Sequence, residues 1–196
     1  EWLNNQVLAG FQDAGGSVVI MMLWVSVFGG IMNSMNTFDP LAKFFVKISK
    51  NVQQLMGWCG ILCLVGNAAL ADEAAQVVTI SPIIRDVVEK NVECEDEKAA
   101  YALRVRLATL TSSMGIYGSE LIPWHCFPVF FAKIASSVYP LHEFTAMDII
   151  SKNYMSFIVI GSIIILSFTG LDRFVPMFGL PDKKRVRLKK ETASPV

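Results

Sequence analysis

Three carboxylates stand in two segments of the chain that are otherwise apolar. Asp72 and Glu73 follow an apolar run that begins near Gln54, and Glu120 lies in a later stretch rich in serine and threonine. Charge in an apolar segment is costly unless it faces protein, water or an ion. Burial also raises the pKa of a carboxylate toward neutrality, so the group can hold either a proton or a metal cation. These residues therefore predict competition between H⁺ and Na⁺ for one site.

Neutral oxygen atoms accompany the carboxylates in both segments. Hard cations such as Na⁺ prefer oxygen ligands, which side-chain amides and hydroxyl groups supply. We predict that Asp72 and Asn67 bind the metal cation and that one of the other two carboxylates is a second proton-linked group. The predicted ion- and proton-binding residues are Asp72, Glu73, Asn67, Glu120, Thr111, Ser112 and Ser119, and the predicted substrate-shaping residues are Trp124 and His125.

Each of these candidates also has a simpler interpretation. Asp72 or Glu73 alternatively ends a helix at the level of the lipid headgroups, and Glu120 alternatively pairs with an arginine of a neighbouring turn. Trp124 and His125 are equally well explained as packing residues. The arginines within reach of Glu120 in this interpretation are Arg104 and Arg106.

Apolar segments long enough to cross a bilayer surround the polar residues. Of the 196 residues, 53% are hydrophobic and only 17% are charged, whereas about 25% are charged in an average soluble domain. A spanning helix needs roughly 20 mostly apolar residues. We therefore expect an all-α polytopic membrane protein. The predicted spans are residues 17–35, 52–70, 107–139 and 154–170.

The third predicted span is interrupted. Gly115, Gly118 and Pro123 make a continuous helix from 115 to 123 unexpected. Unwound backbone at membrane depth is tolerated where it lines a cavity, and transporters use it to coordinate ions. The sequence does not decide whether residues 107–139 cross the membrane once or form a re-entrant hairpin.

Three charged segments lie between or after the apolar ones. Residues 41–50 form an amphipathic pattern with lysines on one face, typical of a helix in the headgroup plane. Residues 83–106 carry charges of both signs and are expected outside the membrane. Residues 171–196 form a tail with six cations between 183 and 190, which predicts a cytoplasmic location.

Several functional classes are disfavoured by composition and motifs. The formal net charge is zero, so no long-range field favours nucleic acid as a partner. The chain has no nucleophile elbow, glycine-rich phosphate loop or HExxH motif, so we expect no enzymatic activity. Its four cysteines follow neither a disulfide nor a zinc pattern.

Three segments together resemble the C-terminal half of NhaC-type Na⁺/H⁺ antiporters, over roughly residues 8–170. They read LAGFQDAGGSVVIMMLWVSVFGGIM, GNAALADEAAQVVTISPIIRDVVEKN and LATLTSSMGIYGSELIPWHC. Residues 71–73 stand where the family has Gly-Asp-Gln, and residues 121–124 stand where it has Leu-Ile-Pro-Trp. The chain departs from the family at Glu73, which replaces glutamine, and at His125, which replaces asparagine.

The resemblance implies an inverted-repeat secondary transporter with discontinuous helices, working by alternating access in the bacterial inner (plasma) membrane. Its partners would be the lipid bilayer, the transported Na⁺ and H⁺, and the N-terminal half of the same transporter, with a homodimer as an open alternative. It implies no cofactor. The same family includes exchangers of malate for lactate, so exchange of an organic anion or amino acid is the first alternative. A non-catalytic membrane subunit is the second.

Overall fold

The computed structural model describes residues 7–13, 19–35, 38–174 and 185–189, most of which are helical. Residues 17–18 and most of the predicted basic tail therefore lie outside the described residues. Two short strands pair antiparallel, and a 3₁₀ helix at Leu171–Phe174 follows the last α-helix. The elements are α1 (Ala9–Asp13), α2 (Ile20–Ser34), α3 (Asp39–Ile48), α4 (Val52–Leu70), α5 (Glu73–Asn91), β1 (Val92–Cys94), α6 (Glu97–Ser119), α7 (Cys126–Val138), α8 (Ala146–Lys152), α9 (Tyr154–Thr169) and β2 (Val186–Leu188).

Helices α4 and α5 form a hairpin with a two-residue turn. The side chain of Asn51 caps the start of α4, and Ala71 ends it in the left-handed conformation, with φ of 54°. Asp72 then caps α5 by accepting a hydrogen bond from the Ala75 backbone N–H at 2.8 Å, as N-cap residues do. The predicted helix over residues 52–70 is confirmed. Asp72 and Glu73 do not extend this helix, because the chain turns at Ala71 and begins α5.

Helix α4 is the centre of the bundle and packs against α3, α5, α6 and α9. Glycines on α4 allow three of these neighbours to approach closely, because a side chain at each position would meet the facing residue. The facing pairs are Gly57 with Phe168 of α9, Gly60 with Met114 of α6, and Gly66 with Ile80 of α5.

The break predicted between 115 and 123 is present, but it begins later than predicted. Helix α6 continues through Gly115 and Gly118 as far as Ser119, and the non-helical residues are 120–125. Glycine in a helix costs only about 1 kcal/mol relative to alanine, so it does not by itself end one. Pro123 lies in the break, where its ring does not interrupt a helical hydrogen-bond ladder.

The amphipathic and charged segments pack onto the bundle. In α3, Phe45 is buried and stacks on Trp58 of α4 with ring centroids 4.9 Å apart, whereas Phe44, predicted on the same apolar face, is exposed. Residues 83–106 comprise the second half of α5, strand β1 and the first half of α6. Strand β2 pairs with β1, and Arg185 forms an ion pair with Asp96 next to this strand pair.

In the described residues, α4 is the one helix that is by itself long and apolar enough to cross a membrane. Helices α8 and α9 pass the same test together, but a bend of 64° separates them, and α7 is apolar but shorter. A single helix of this kind also occurs in the core of soluble proteins. The mostly helical fold is thus confirmed, and a polytopic membrane topology stays a prediction.

Candidate functional site

The two polar segments that the sequence singled out meet in the folded chain. The α4–α5 turn and the α6–α7 break contact each other directly through two hydrogen bonds. The indole Nε1 of Trp124 donates to the backbone carbonyl of Ala68 at 2.7 Å, and the backbone N–H of Cys126 donates to the carbonyl of Ala71 at 3.3 Å. The two polar segments are therefore neighbours in the folded chain.

Asn67 connects α4 to α6 from inside the bundle. Its side chain is fully buried, and its Nδ2 donates to the carbonyl oxygens of Met114 and Gly115, both at 3.0 Å. A carbonyl can only accept, so these two bonds fix which end of the amide faces α6. The Oδ1 atom is consequently directed away from those carbonyls, and it has no hydrogen-bond partner in the part of the chain that the structure describes.

Gln76 is a second fully buried amide, on α5. Among the described residues, neither its Oε1 nor its Nε2 has a hydrogen-bond partner, and the Cys63 thiol lies beside it without a bond of standard geometry. A Cβ atom placed on Gly115 would lie only 2.9 Å from Oε1 of Gln76. Gln76 was not among the predicted site residues, although a polar side chain within an apolar segment was the available signal.

The carboxylates Asp72 and Glu73 lie at the start of α5. The Oδ1 atom of Asp72 is engaged in capping that helix, whereas Oδ2 faces the Cys126 thiol at 4.0 Å. Burial raises the pKa of Glu73 above its ordinary value of 4.5, and the neighbouring charges of Asp72 and Glu120 raise this pKa further. The helix-end interpretation of Asp72 and Glu73 thus agrees with their positions, and both are only partly buried.

Glu120 is held by two residues at the start of α9. Its Oε2 accepts hydrogen bonds from Nδ2 of Asn153 at 2.7 Å and from the hydroxyl of Ser156 at 2.5 Å. The alternative that Glu120 pairs with an arginine is therefore wrong for Arg106, which contacts Asp172 instead. Hydrogen bonds of this kind stabilise an ionised carboxylate, and they bring α9 to the same end of the bundle as the α4–α5 turn.

The predicted hydroxyl ligands are only partly brought to this region. Thr111 and Ser119 lie one turn before and one turn after Gly115 on α6, and both are buried. Their hydroxyl groups donate to carbonyls of the same helix, at 3.0 Å for Thr111 and 2.6 Å for Ser119, which leaves their oxygen lone pairs available. Ser112 is exposed, so the structure does not place it with the other candidates.

The two predicted substrate-shaping residues have opposite environments. Trp124 is 62% exposed and is anchored to the α4–α5 hairpin by its indole N–H. His125 is fully buried at the start of α7, where its Nδ1 accepts a hydrogen bond from the Phe127 backbone N–H at 3.4 Å. Its Nε2 has no hydrogen-bond partner within the described residues. Of the two, only His125 is part of the interior.

A buried ion pair lies at the opposite end of α6. Arg106 donates to Oδ2 of Asp172 at 2.8 Å and to the hydroxyl of Ser167 at 2.9 Å, and both charged side chains are almost fully buried. At 1.5 Å per residue, Arg106 lies about 20 Å along the helix from Glu120. Its charge is matched by Asp172, so this arginine does not provide a free cation beside the carboxylates.

The atoms at the α4–α5 turn and the α6–α7 break that could bind a metal ion are mostly oxygens. Within the described part of the chain, no group of three or more His, Cys, Asp and Glu side chains is arranged to hold a metal ion. Any cation bound here would therefore depend on amide, hydroxyl and carbonyl oxygens as well as carboxylates. Comparisons with family models, curated proteins and solved structures give no match for this chain.

Proposed function

We propose that this protein is a secondary active transporter that exchanges Na⁺ for H⁺ across a membrane. The observation that carries the proposal is the meeting of the α4–α5 turn and the α6–α7 break, which brings Asp72, Glu73 and Glu120 to one end of a helical bundle. Each of the three is partly buried, and a like charge nearby disfavours ionisation of a carboxylate, as it does for Glu73. The resemblance to NhaC-type antiporters supports the same activity.

The exposed surfaces of three helices support a membrane environment. Helices α2, α7 and α9 carry large apolar side chains that the rest of the described chain does not cover. Trp24 of α2 is 72% exposed, and Ile158 of α9 is 67% exposed. Soluble monomers rarely expose contiguous apolar patches larger than a few hundred Å². Lipid contact with these faces is the simplest reason for their composition.

In this mechanism Asp72 binds either Na⁺ or H⁺, and alternating access exposes it to the two sides in turn. Its Oδ2 is the available oxygen, because Oδ1 is engaged in capping α5. A second proton-linked carboxylate, Glu73 or Glu120, would set how many protons leave for each cation bound. The α4–α5 turn and the α6–α7 break would have to move relative to each other to open a path for the ion.

The test is dequenching of a pH-sensitive dye in proteoliposomes that hold the full-length protein, after addition of Na⁺, Li⁺ or K⁺. We expect a Na⁺- or Li⁺-driven signal that is lost in Asp72→Asn. Asparagine is as good an N-cap as aspartate, so this variant retains the helix end. The matched control is Asp86→Asn, because Asp86 is an exposed carboxylate on α5 that pairs with Lys90 and should not affect transport.

Two other results would replace the proposal. A response to malate alone would identify an organic-anion exchanger, which would need a cation or a positive helix end at its site; the buried Arg106 is not available for that role because it pairs with Asp172. Full flux after replacement of both Asp72 and Glu120 by alanine would exclude a transport role for these carboxylates. The absence of any cation-driven signal from the wild-type protein would favour a non-catalytic subunit.

A further inference from the structure

Several buried polar atoms of the described residues have no hydrogen-bond partner, and three of them belong to two fully buried side chains that contact Gly115 of α6. They are Oδ1 of Asn67 and both amide atoms of Gln76. A buried oxygen without a hydrogen-bond partner destabilises the folded protein. A bound cation would offset this cost at the two oxygens, Asn67 Oδ1 and Gln76 Oε1, although not at the Nε2 donor.

Gly115 allows these side chains to pack closely against α6. A Cβ atom at this position would approach Oε1 of Gln76 to 2.9 Å and Cγ of Glu73 to 3.7 Å. The carbonyl of the same residue accepts a hydrogen bond from Asn67 Nδ2 at 3.0 Å. One point on α6 is thus surrounded by three side chains from α4 and α5, which are those of Asn67, Gln76 and Glu73.

We propose that Asn67, Gln76 and Glu73 form a binding site for a dehydrated monovalent cation of the size of Na⁺, between α4 and α5 and beside Gly115 of α6. This inference rests on the proposed function and deepens it, because it identifies the residues that hold the transported cation. It moves the site from Asp72, at the hairpin turn, to the buried face one turn further along α5.

The chemistry of these groups favours a monovalent cation. Glu73 and Gln76 are three residues apart, so their side chains lie on the same face of α5. They and Asn67 offer one carboxylate and two neutral amide oxygens, whereas Ca²⁺ takes about 6–8 oxygen ligands, with several carboxylates among them. The Asn67 amide is already oriented with its oxygen away from α6, so this ligand needs no rearrangement.

The experiment measures equilibrium binding of radiolabelled Na⁺ to the purified full-length protein in nanodiscs, with Li⁺ and K⁺ as competitors. Gln76→Leu removes the amide oxygen at nearly constant volume, and we expect it to raise the Kd for Na⁺ about tenfold or more, the scale of one lost contact to a charged group. Gly115→Ala should have a similar effect because it displaces Gln76 Oε1. Gly161→Ala is its control, since a Cβ there meets nothing within 4 Å.

A conservative variant separates ligand loss from misfolding. Gln76→Glu retains an oxygen at the same position and should keep Na⁺ binding while making it more dependent on pH. Wild-type Na⁺ affinity in both Gln76→Leu and Gly115→Ala would overturn the site, and would indicate that buried water satisfies these groups.

The site and the proposed function can fail separately. If those two variants bind Na⁺ normally but Asp72→Asn abolishes Na⁺-driven proton movement, the site is wrong and the antiport stands. If the wild-type protein neither binds Na⁺ nor responds to it in proteoliposomes, both are wrong.

Discussion

At the scale of single residues, three carboxylates in one region have three different environments. Asp72 caps α5 and Glu120 accepts two short hydrogen bonds from α9. Among the described residues no such hydrogen bond reaches Glu73, whose pKa is raised by burial first and by the two neighbouring carboxylates second. Glu73 therefore keeps its proton more readily in the folded protein than in the unfolded chain.

This difference predicts a pH-dependent effect of Glu73→Gln on stability. Because the folded protein binds the proton more tightly than the unfolded chain, the contribution of Glu73 is fully present below its ordinary pKa and is lost as pH rises through the raised one. We expect the variant to match the wild type at about pH 4 and to become the more stable protein toward about pH 8. The groups that face Glu73 in this titration are Asp72, Glu120 and the Cys126 thiol.

Melting temperatures measured across this pH range provide the test. Glu143→Gln is the control, because Glu143 is an exposed carboxylate between α7 and α8, and its curve should run parallel to that of the wild type. Parallel curves for Glu73→Gln as well would show that Glu73 titrates as it does in the unfolded chain.

At the scale of secondary-structure elements, α4 organises the fold through its glycines. Gly57, Gly60 and Gly66 face α9, α6 and α5 in turn, so one helix has three close interfaces. Close approach at small residues is a common way for helices to associate in membranes, where lipid contact provides no hydrophobic drive. The α4–α5 interface also carries Gln76, whose Cγ lies 3.6 Å from a Cβ placed on Gly66.

We predict that Gly66→Ala destabilises the α4–α5 hairpin. Its Cβ would lie 2.5 Å from Cγ1 of the fully buried Ile80, and such overpacking costs about 1–3 kcal/mol of the free energy of unfolding. Gly161→Ala meets no neighbour within 4 Å and should stabilise α9 by no more than about 1 kcal/mol. Denaturant titration in detergent micelles measures the free energy of unfolding of both variants. Equal values for Gly66→Ala and the wild-type protein would contradict the close approach of α4 and α5.

At the scale of the whole molecule, the strand pair connects two segments that are distant in sequence. Glu93 of β1 lies opposite Arg187 of β2, and Lys189 donates its backbone N–H to the carbonyl of Asn91 at 2.8 Å. The charged segment 83–106 and part of the basic tail are therefore adjacent. If the bundle is embedded in a membrane, both must lie on the same side, as the charge pattern of the sequence predicts.

Cysteine labelling tests this shared location. In a cysteine-free background, we expect Glu93→Cys and Arg187→Cys, both at exposed positions, to react with an impermeant maleimide in inside-out vesicles and not in right-side-out vesicles. A membrane-permeant maleimide, which should label both in either orientation, controls for accessibility. Labelling of the two cysteines from opposite faces would contradict the strand pairing.

The sequence by itself determined the helices at 52–70 and 154–169 and their ends, because those depend on local chemistry. By contrast, the helix expected to begin at residue 107 begins at Glu97. The apolar run 52–70 begins after the capping Asn51, and the last helix ends at Gly170, which adopts a φ of 73°. Capping and left-handed ends depend on a few neighbouring residues. The predicted break near Pro123 was correct for the same reason, although its first residue was not.

Only the tertiary structure decided which polar groups meet. Glu120 is bonded to Asn153 and Ser156 of α9, and Arg106 to Asp172, across separations of 33–66 residues. Gln76 became a site residue because it faces a glycine on α6. The partner of a buried polar group depends on how each helix is rotated and how closely its neighbours pack, and these are properties of the assembled bundle that no single segment encodes.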